Sequence, residues 1–352
     1  MELLPPHVSP ESPRDSYLPL SSSHRSSSVN GTREPDGVTF FILQGLSSLG
    51  EKQMIFFVIL LLGYIVILGG NSMIIFVTLT DPKLNSPMYF FLANLSFVEM
   101  VYTTTTVPTM LSGFLSEVST ISVPGCFLQM HFFMQLGITG LAILTVMAYD
   151  RYVAICNPLH YTSIMTRPVQ LLLITGAWVF STVCTLPANI IVMQKPYCGS
   201  NIVAHGWCDL FTVRQLACAD IMLDSIIFVC LGLVSLLTTG GLILTSYVLI
   251  GVSLSRMAVT QRLKAFRTCS AHLTVVTITY SSASFVNISY RVGNFTAEVH
   301  IIVAALYAVL SPFMNPLIYS LSNKELQESM GRTVSRFRSA AVSAIKDVNK
   351  VS

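Results

Sequence analysis

Charge is scarce in this chain: of 352 residues only 11% are Asp, Glu, Lys or Arg, while 52% are hydrophobic. Soluble domains carry roughly 25% charged residues, so a water-soluble globular fold is excluded and a membrane protein is indicated. The basic residues are spread along the chain and the formal net charge is only +3, which argues against nucleic acid as a partner. Apolar residues run continuously rather than alternating, so a membrane β-barrel is disfavoured. No internal repeat is visible, which weighs against a transporter built from duplicated halves. A channel would use Glu99 and Asp150 as pathway residues, but it would need charged or repeated pore-lining helices. The apolar stretches hold no paired-Asp, Ser-His or multi-His constellation, so an intramembrane enzyme is disfavoured, and no cofactor or metal is expected.

What is present is a series of seven apolar stretches, near 54–78, 88–112, 126–149, 170–192, 222–250, 271–292 and 299–320. Each is long enough for the roughly 20 residues that carry a helix across about 30 Å of hydrocarbon. The expected fold class is therefore an all-α membrane protein with seven transmembrane helices. Residues 1–53 are polar and rich in Ser and Pro, without the apolar core and cleavage site of a removable signal peptide, and read as a largely disordered tail with a glycosylation acceptor at Asn30. Residues 54–322 form the seven-helix bundle; residues 323–352 form a second tail, in which Asn323 to about Arg338 suits either an amphipathic interfacial helix or a floppy basic segment. With the N-terminal tail outside, thirteen Lys and Arg fall on inner segments and seven on outer ones. The positive-inside rule then places the C-terminus in the cytoplasm.

Eight cysteines divide by side. Cys126, Cys198, Cys208 and Cys218 lie at outer span ends or in the long outer loop 193–221, where an oxidising lumen permits disulfides; their three connectivities stay open on spacing alone, and each ties that loop to the third span. The stretch MAYDRYVAICNPLHY, Met147 to Tyr161, puts the charged pair Asp150 and Arg151 at the inner rim of the third span. There an unpaired charge costs on the order of 2.5–3.5 kcal/mol. Asn71, Glu99, Asn315 and Tyr319 are polar groups in otherwise apolar spans; they either converge on a polar network, with water or a small cation, or act as glue between helices. Pro316 makes the seventh span deformable.

The seventh span has no Lys for a retinal Schiff base, and the outer half of the third span has no carboxylate for an amine ligand. It offers Phe133, Met134, Gly137 and Ile138 at helical spacing. With Leu231 and Ser235 of the fifth span, Tyr280, Ala283, Ser284 and Asn287 of the sixth and Ala308 of the seventh, these residues either enclose an apolar cavity or simply pack.

Six segments then carry a family resemblance: Gly70-Asn71; PMYFFLANLSFVE, Pro87 to Glu99; MAYDRYVAICNPLHY; Ser246-Tyr247; KAFRTCSAHLTVV, Lys264 to Val276; and PFMNPLIYSL, Pro312 to Leu321. From about Val38 to Lys324 the chain closely resembles the vertebrate olfactory (odorant) receptors, a branch of the rhodopsin-like class A G-protein-coupled receptors. The resemblance implies a multi-pass plasma-membrane receptor, embedded in membrane lipids, that binds a small hydrophobic odorant. It implies activation of a stimulatory, olfactory-type heterotrimeric G protein and a rise in cyclic AMP; the same fold also serves as a chemoreceptor outside the olfactory epithelium. Arg151 looks like the arginine that pairs with Asp150 at rest and meets the G protein when the helices part, with Tyr152 completing the motif and Lys264 opening that of the sixth span. Tyr247 and Tyr319 look like the tyrosines that stabilise the open inner face, Asn71, Glu99, Asn315 and Pro316 like the polar network and its hinge, and Tyr280 like the pocket floor. The resemblance also implies the disulfides Cys126–Cys208 and Cys198–Cys218.

Overall fold

The computed structural model describes residues 38–45, 50, 53–116, 118–198, 200–292 and 297–351, with the backbone alone at 261, 264, 267–268, 287–292, 297–298 and 340–351. Asn30 therefore lies outside the described residues, as do the side chains of Lys264 and Asn287. Eight long helices run through the described residues: α1 (Gln53–Thr80), α2 (Pro87–Leu115), α3 (Val123–Cys156), α4 (Arg167–Met193), α5 (Met222–Ser255), α6 (Val259–Val292), α7 (Ala297–Ser322) and α8 (Lys324–Val351). The first seven form the bundle, in which α3 packs on α2, α4, α5 and α6, and α7 closes against α1, α2 and α6.

Polarity is inverted relative to a soluble protein. On α1 the buried residues Ile67, Asn71, Ile74 and Val77 form one narrow stripe, while Ile55, Ile59, Leu62 and Leu79 face outward. Glu99, Gln135, Asp150 and Asn315 are buried inside. This is the arrangement expected where the surroundings are hydrocarbon and polar groups find partners only within the protein. Among the described residues, five helices, α1, α3, α4, α5 and most of α7, are long and apolar enough on their own to cross a membrane. The other two are more polar: α2 carries Glu99 and the run Thr103–Thr106, while α6 opens with Arg262, Lys264 and Arg267.

Helix starts follow local chemistry. Ser86 precedes Pro87 at the head of α2, and Ser122 Oγ accepts the Gly125 N–H at 3.3 Å ahead of α3, with Pro near the first turn of each. The α3 helix continues beyond its apolar stretch to Cys156 and stops before Asn157-Pro158, and α6 begins at Val259 instead of near 271. Apolarity marks where a helix crosses hydrocarbon, whereas the hydrogen-bond ladder continues until a residue such as Pro ends it.

At one end the bundle carries a roof. Residues Phe40–Leu43, taken with the disordered tail on composition, form strand β1 instead; it pairs antiparallel with β2 (Ser119–Ser122) and parallel with β3 (Ile202–Val203). Its run Phe-Phe-Ile-Leu is far too short to span a membrane but suits a strand. Cys126 and Cys208 are bonded with Cα atoms 5.3 Å apart, and Cys198 and Cys218 with Cα atoms 6.0 Å apart. The first bond pins the α4–α5 loop to the head of α3, where Gln129 Oε1 also accepts the Cys208 N–H at 2.9 Å.

At the other end, Asn323 separates α7 from α8 and caps the latter, its Oδ1 accepting the Leu326 N–H at 3.1 Å. The helical alternative for the C-terminal segment is the one the structure adopts, and it extends beyond Arg338 to Val351. Loss of a native disulfide typically costs on the order of 2–5 kcal/mol. Cys126→Ser is accordingly expected to cut surface delivery several-fold by surface immunolabelling, with Cys230→Ser, a change at an exposed free thiol, as the neutral control. Wild-type delivery of the Cys126 variant would reject a stabilising role for the bond.

Candidate ligand cavity and coupling clasp

Beneath the roof, α3, α5, α6 and α7 leave a cavity of about 390 Å³. One face of α3 supplies Phe133, Met134, Gly137, Ile138 and Leu141, which recur at the spacing that keeps side chains on one side of a helix. Leu231 and Ser235 of α5 and Ala283 and Ser284 of α6 complete the walls expected from the sequence. Ser235 Oγ donates to Gly232 O at 2.8 Å, so its hydroxyl offers the cavity chiefly an acceptor.

Two expected lining residues lie elsewhere. Ala308 is buried in the α7 packing core. Tyr280 turns toward α5, where its hydroxyl donates to Thr239 Oγ1 at 2.6 Å and its ring lies against Gly240; a Cβ at residue 240 would meet Tyr280 Cε1 at 3.2 Å. The small glycine admits the ring between α5 and α6, away from the cavity wall.

The roof contributes walls that no span pattern could reveal. Trp207, Asp209, Leu210 and Phe211 come from the α4–α5 loop, carried there by the Cys208 bond. Trp207 is buried and its ring lies 5.5 Å from that of Phe133, which in turn stacks on Tyr102 of α2 at 4.9 Å. The Trp207 Nε1–H finds no acceptor among the described residues. An unmade hydrogen bond at a buried donor costs about 1–3 kcal/mol, so this indole is an available polar handle. Asp209, the carboxylate in the wall, already accepts the Phe211 N–H at 2.9 Å at the head of a short helical turn. Burial depresses the basicity of His205, whose ring meets Trp207 edge-on at 4.1 Å.

Tyr102, Gly137, Leu141 and Tyr307 also border a smaller cavity of about 40 Å³, whose other walls include Glu99 and Ser311. Here the sequence-singled polar groups form two separate ties. Asn315 Nδ2 donates to Glu99 Oε1, joining α7 to α2. Asn71 Nδ2 donates to Pro312 O at 3.2 Å, joining α1 to α7. Pro316 has no N–H to bond the carbonyl four residues earlier, and that carbonyl belongs to Pro312, so Asn71 satisfies the group the proline leaves open. Gly70 lets the helices meet there, since a Cβ on it would lie 3.0 Å from Pro316 Cβ.

Farther along α3 lies a clasp. Asp150 is fully buried; its Oδ2 accepts from Arg151 Nε at 3.1 Å and from Nη2, and its Oδ1 accepts from Tyr161 Oη at 2.7 Å. Burial, reinforced by the Asp150 charge beside it, raises the Tyr161 phenol above its ordinary range, so it remains a donor. Tyr161 closes the stretch that begins at Met147, yet its role depends on the α3–α4 turn bringing it back. Tyr152 is half-buried on the last turns of α3, its ring 6.4 Å from that of Tyr149.

Tyr247 meets His272, its Oη lying 2.7 Å from Nδ1, while His272 Nε2 lies 3.0 Å from Leu144 O. A carbonyl only accepts, so Nε2 carries the hydrogen and Nδ1 accepts from the tyrosine. His272 thus links α3, α5 and α6. The sequence motif Lys264 to Val276 contains His272 without marking it as a link, although an imidazole inside a span is itself a signal. Tyr319 is buried with its hydroxyl unpaired among the described residues.

A family profile described as "Olfactory receptor" matches residues 60–336. Human Olfactory receptor 13D1 is 41% identical over 306 residues, covering 87% of this chain and 88% of its own. Mouse Olfactory receptor 6E1 is 39% identical over 302 residues, covering 86% and 96%. The crystal structure of squid rhodopsin superposes with a TM-score of 0.64 over 78% of this chain and 83% of that one, at 17% identity, and so speaks for the fold alone. With a family match across most of its length, relatives at about 40% identity and a rhodopsin-like seven-helix fold, the chain belongs to the olfactory receptors, class A G-protein-coupled receptors that are not enzymes.

Proposed function

We propose that this receptor sits in the plasma membrane with its disulfide end outside, binds a small hydrophobic volatile in the 390 Å³ cavity, and activates a stimulatory, olfactory-type G protein through the Asp150–Arg151–Tyr152 end of α3, raising cyclic AMP. Residues 1–53, around Asn30, belong outside on this reading and residues 323–352 inside. The excess of Lys and Arg toward the clasp and the disulfides at the opposite end support that orientation.

The observation that carries the ligand reading is the mostly apolar cavity with few polar groups in its wall. Its volume falls in the range of about 300–1,000 Å³ typical of small-molecule sites. A volatile of about ten heavy atoms at roughly 1 kcal/mol per atom cannot exceed about 10 kcal/mol, and micromolar binding near 8 kcal/mol is the natural scale. Trp207 Nε1–H favours ligands with an acceptor such as a carbonyl, ether or hydroxyl oxygen. Opening of the clasp would free Arg151 for the G protein, and Tyr247 and Tyr319 would then stabilise the parted helices; Lys264 and Pro316 are assigned to the same transition.

Two measurements test these assignments. Arg151→Ala is expected to abolish odorant-dependent cyclic AMP in transfected cells while surface expression persists; an undiminished response would reject the coupling role. Gly137→Val should narrow the cavity toward Tyr102, whose Cε2 lies 3.5 Å from an added Cβ. Overpacking of this kind costs about 1–3 kcal/mol, so half-maximal concentrations for the bulkiest agonists should rise about tenfold while those for the smallest change little. Identical shifts for all agonists, or none, would remove Gly137 from the site.

A further inference from the structure

A second groove, of about 480 Å³, lies away from the odorant cavity, between the last turn of α1, the turn before α2 and the middle of α8. Its construction mixes two chemistries. Phe76 of α1 and Phe337 of α8 stand as an aromatic pair with ring centroids 5.8 Å apart, and each is about half exposed. At its base Asp81 is held by three donors: Ser329 Oγ at 2.7 Å, Arg332 Nη2 at 2.6 Å and the Lys83 N–H at 3.1 Å. Those hydrogen bonds, Ser329 first and then Arg332, lower the Asp81 carboxyl to about 2, so it stays ionised and keeps Arg332 engaged.

Lys83 and Arg336 also line the groove, and neither makes an ion pair among the described residues. Three cations therefore face one carboxylate, and the two uncommitted ones come from different elements. The groove opens beside the lipid-facing side of α1, where Leu79 is 77% exposed. A basic recess continuous with a hydrocarbon-facing helix fits a molecule with an anionic head and apolar chains.

We propose that this groove binds a phospholipid with a phosphorylated inositol headgroup, the phosphates held by Lys83 and Arg336 and the acyl chains lying along Phe76 and Leu79. Phosphatidylserine fits less well, because its headgroup ammonium would enter a recess already rich in cations. Occupancy would bridge α1 to α8 at the same end as the clasp. Inositol phospholipids belong to the cytoplasmic leaflet, so in cells the proposal rests on the orientation given above. Lipid nanodiscs present both faces, so binding there tests the groove independently of orientation.

The experiment uses the full chain in phosphatidylcholine nanodiscs containing about 5% fluorescent phosphatidylinositol bisphosphate, with binding read by energy transfer to the protein and folding checked by size-exclusion profile. The joint variant Lys83→Gln, Arg336→Gln is expected to weaken saturable binding about thirtyfold, in line with the contribution of two basic residues near anionic lipid. Lys83→Arg with Arg336→Lys should restore it. Arg256→Gln with Arg338→Gln, which removes the same charge outside the groove, should leave it unchanged. Equal binding by the Gln pair and wild type would overturn the site, and so would equal weakening by the control pair, which would mark diffuse surface charge. Displacement of the probe by phosphatidylserine at matched charge would overturn the inositol assignment. Equally effective competition by free inositol trisphosphate would overturn the role of the α1 surface.

Discussion

The unbroken hydrogen-bond ladder of α3 is the constraint on which the rest depends. Between Cys126 and Arg151 the helix contains no proline after its first turn, and 25 residues at 1.5 Å each make a strut of roughly 37 Å. One end is bonded to the roof of the cavity, the middle supplies one of its walls, and the far end holds the clasp. Because α3 also packs on α2, α4, α5 and α6, its displacement must be shared by its neighbours. A rigid element that touches both sites is the physical requirement for linking them.

Around that strut, polar groups are matched one by one. Gln135 serves Ser181, Thr182 and Thr185 between α3 and α4, at 2.7, 3.0 and 2.6 Å. Many Ser and Thr hydroxyls return to the carbonyl a turn earlier, as Thr104 does to Met100 at 2.7 Å and Thr239 to Ser235 at 2.6 Å. Such local satisfaction makes a helix like α2 compatible with hydrocarbon despite its four consecutive threonines. Two further ties between helices lie where α7 carries prolines in its interior: Asn71 replaces the lost partner of Pro312, and Asn315 meets Glu99.

What could be read from the sequence follows from the range of each interaction. The seven crossings are properties of continuous runs, and the cavity face of α3 is a property of one helical period, so both were legible. The placement of Trp207 was not, because a disulfide to a residue 82 positions away carries its loop onto the bundle. Tyr280 was assigned to the cavity from its position along α6, but its orientation depends on Gly240 of another helix. The strand Phe40–Leu43 was hidden for the same reason: its partners begin at Ser119 and Ile202. Asp150 and Arg151 were legible as a pair because they are adjacent, whereas Tyr161 reaches them only through the turn after α3.

On the proposed ligand reading, the modest size of the cavity limits how firmly the resting receptor can be held. Shifting a two-state equilibrium from 1:99 to 99:1 requires about 5.5 kcal/mol of differential affinity. A ligand whose whole binding free energy is near 8 kcal/mol can direct only part of it to the difference between states. Resting and active populations must therefore lie within a few kcal/mol of each other before any ligand arrives. On the proposed function, spontaneous openings of the clasp would follow from that near balance, and ligands that fill the cavity incompletely would act as partial agonists.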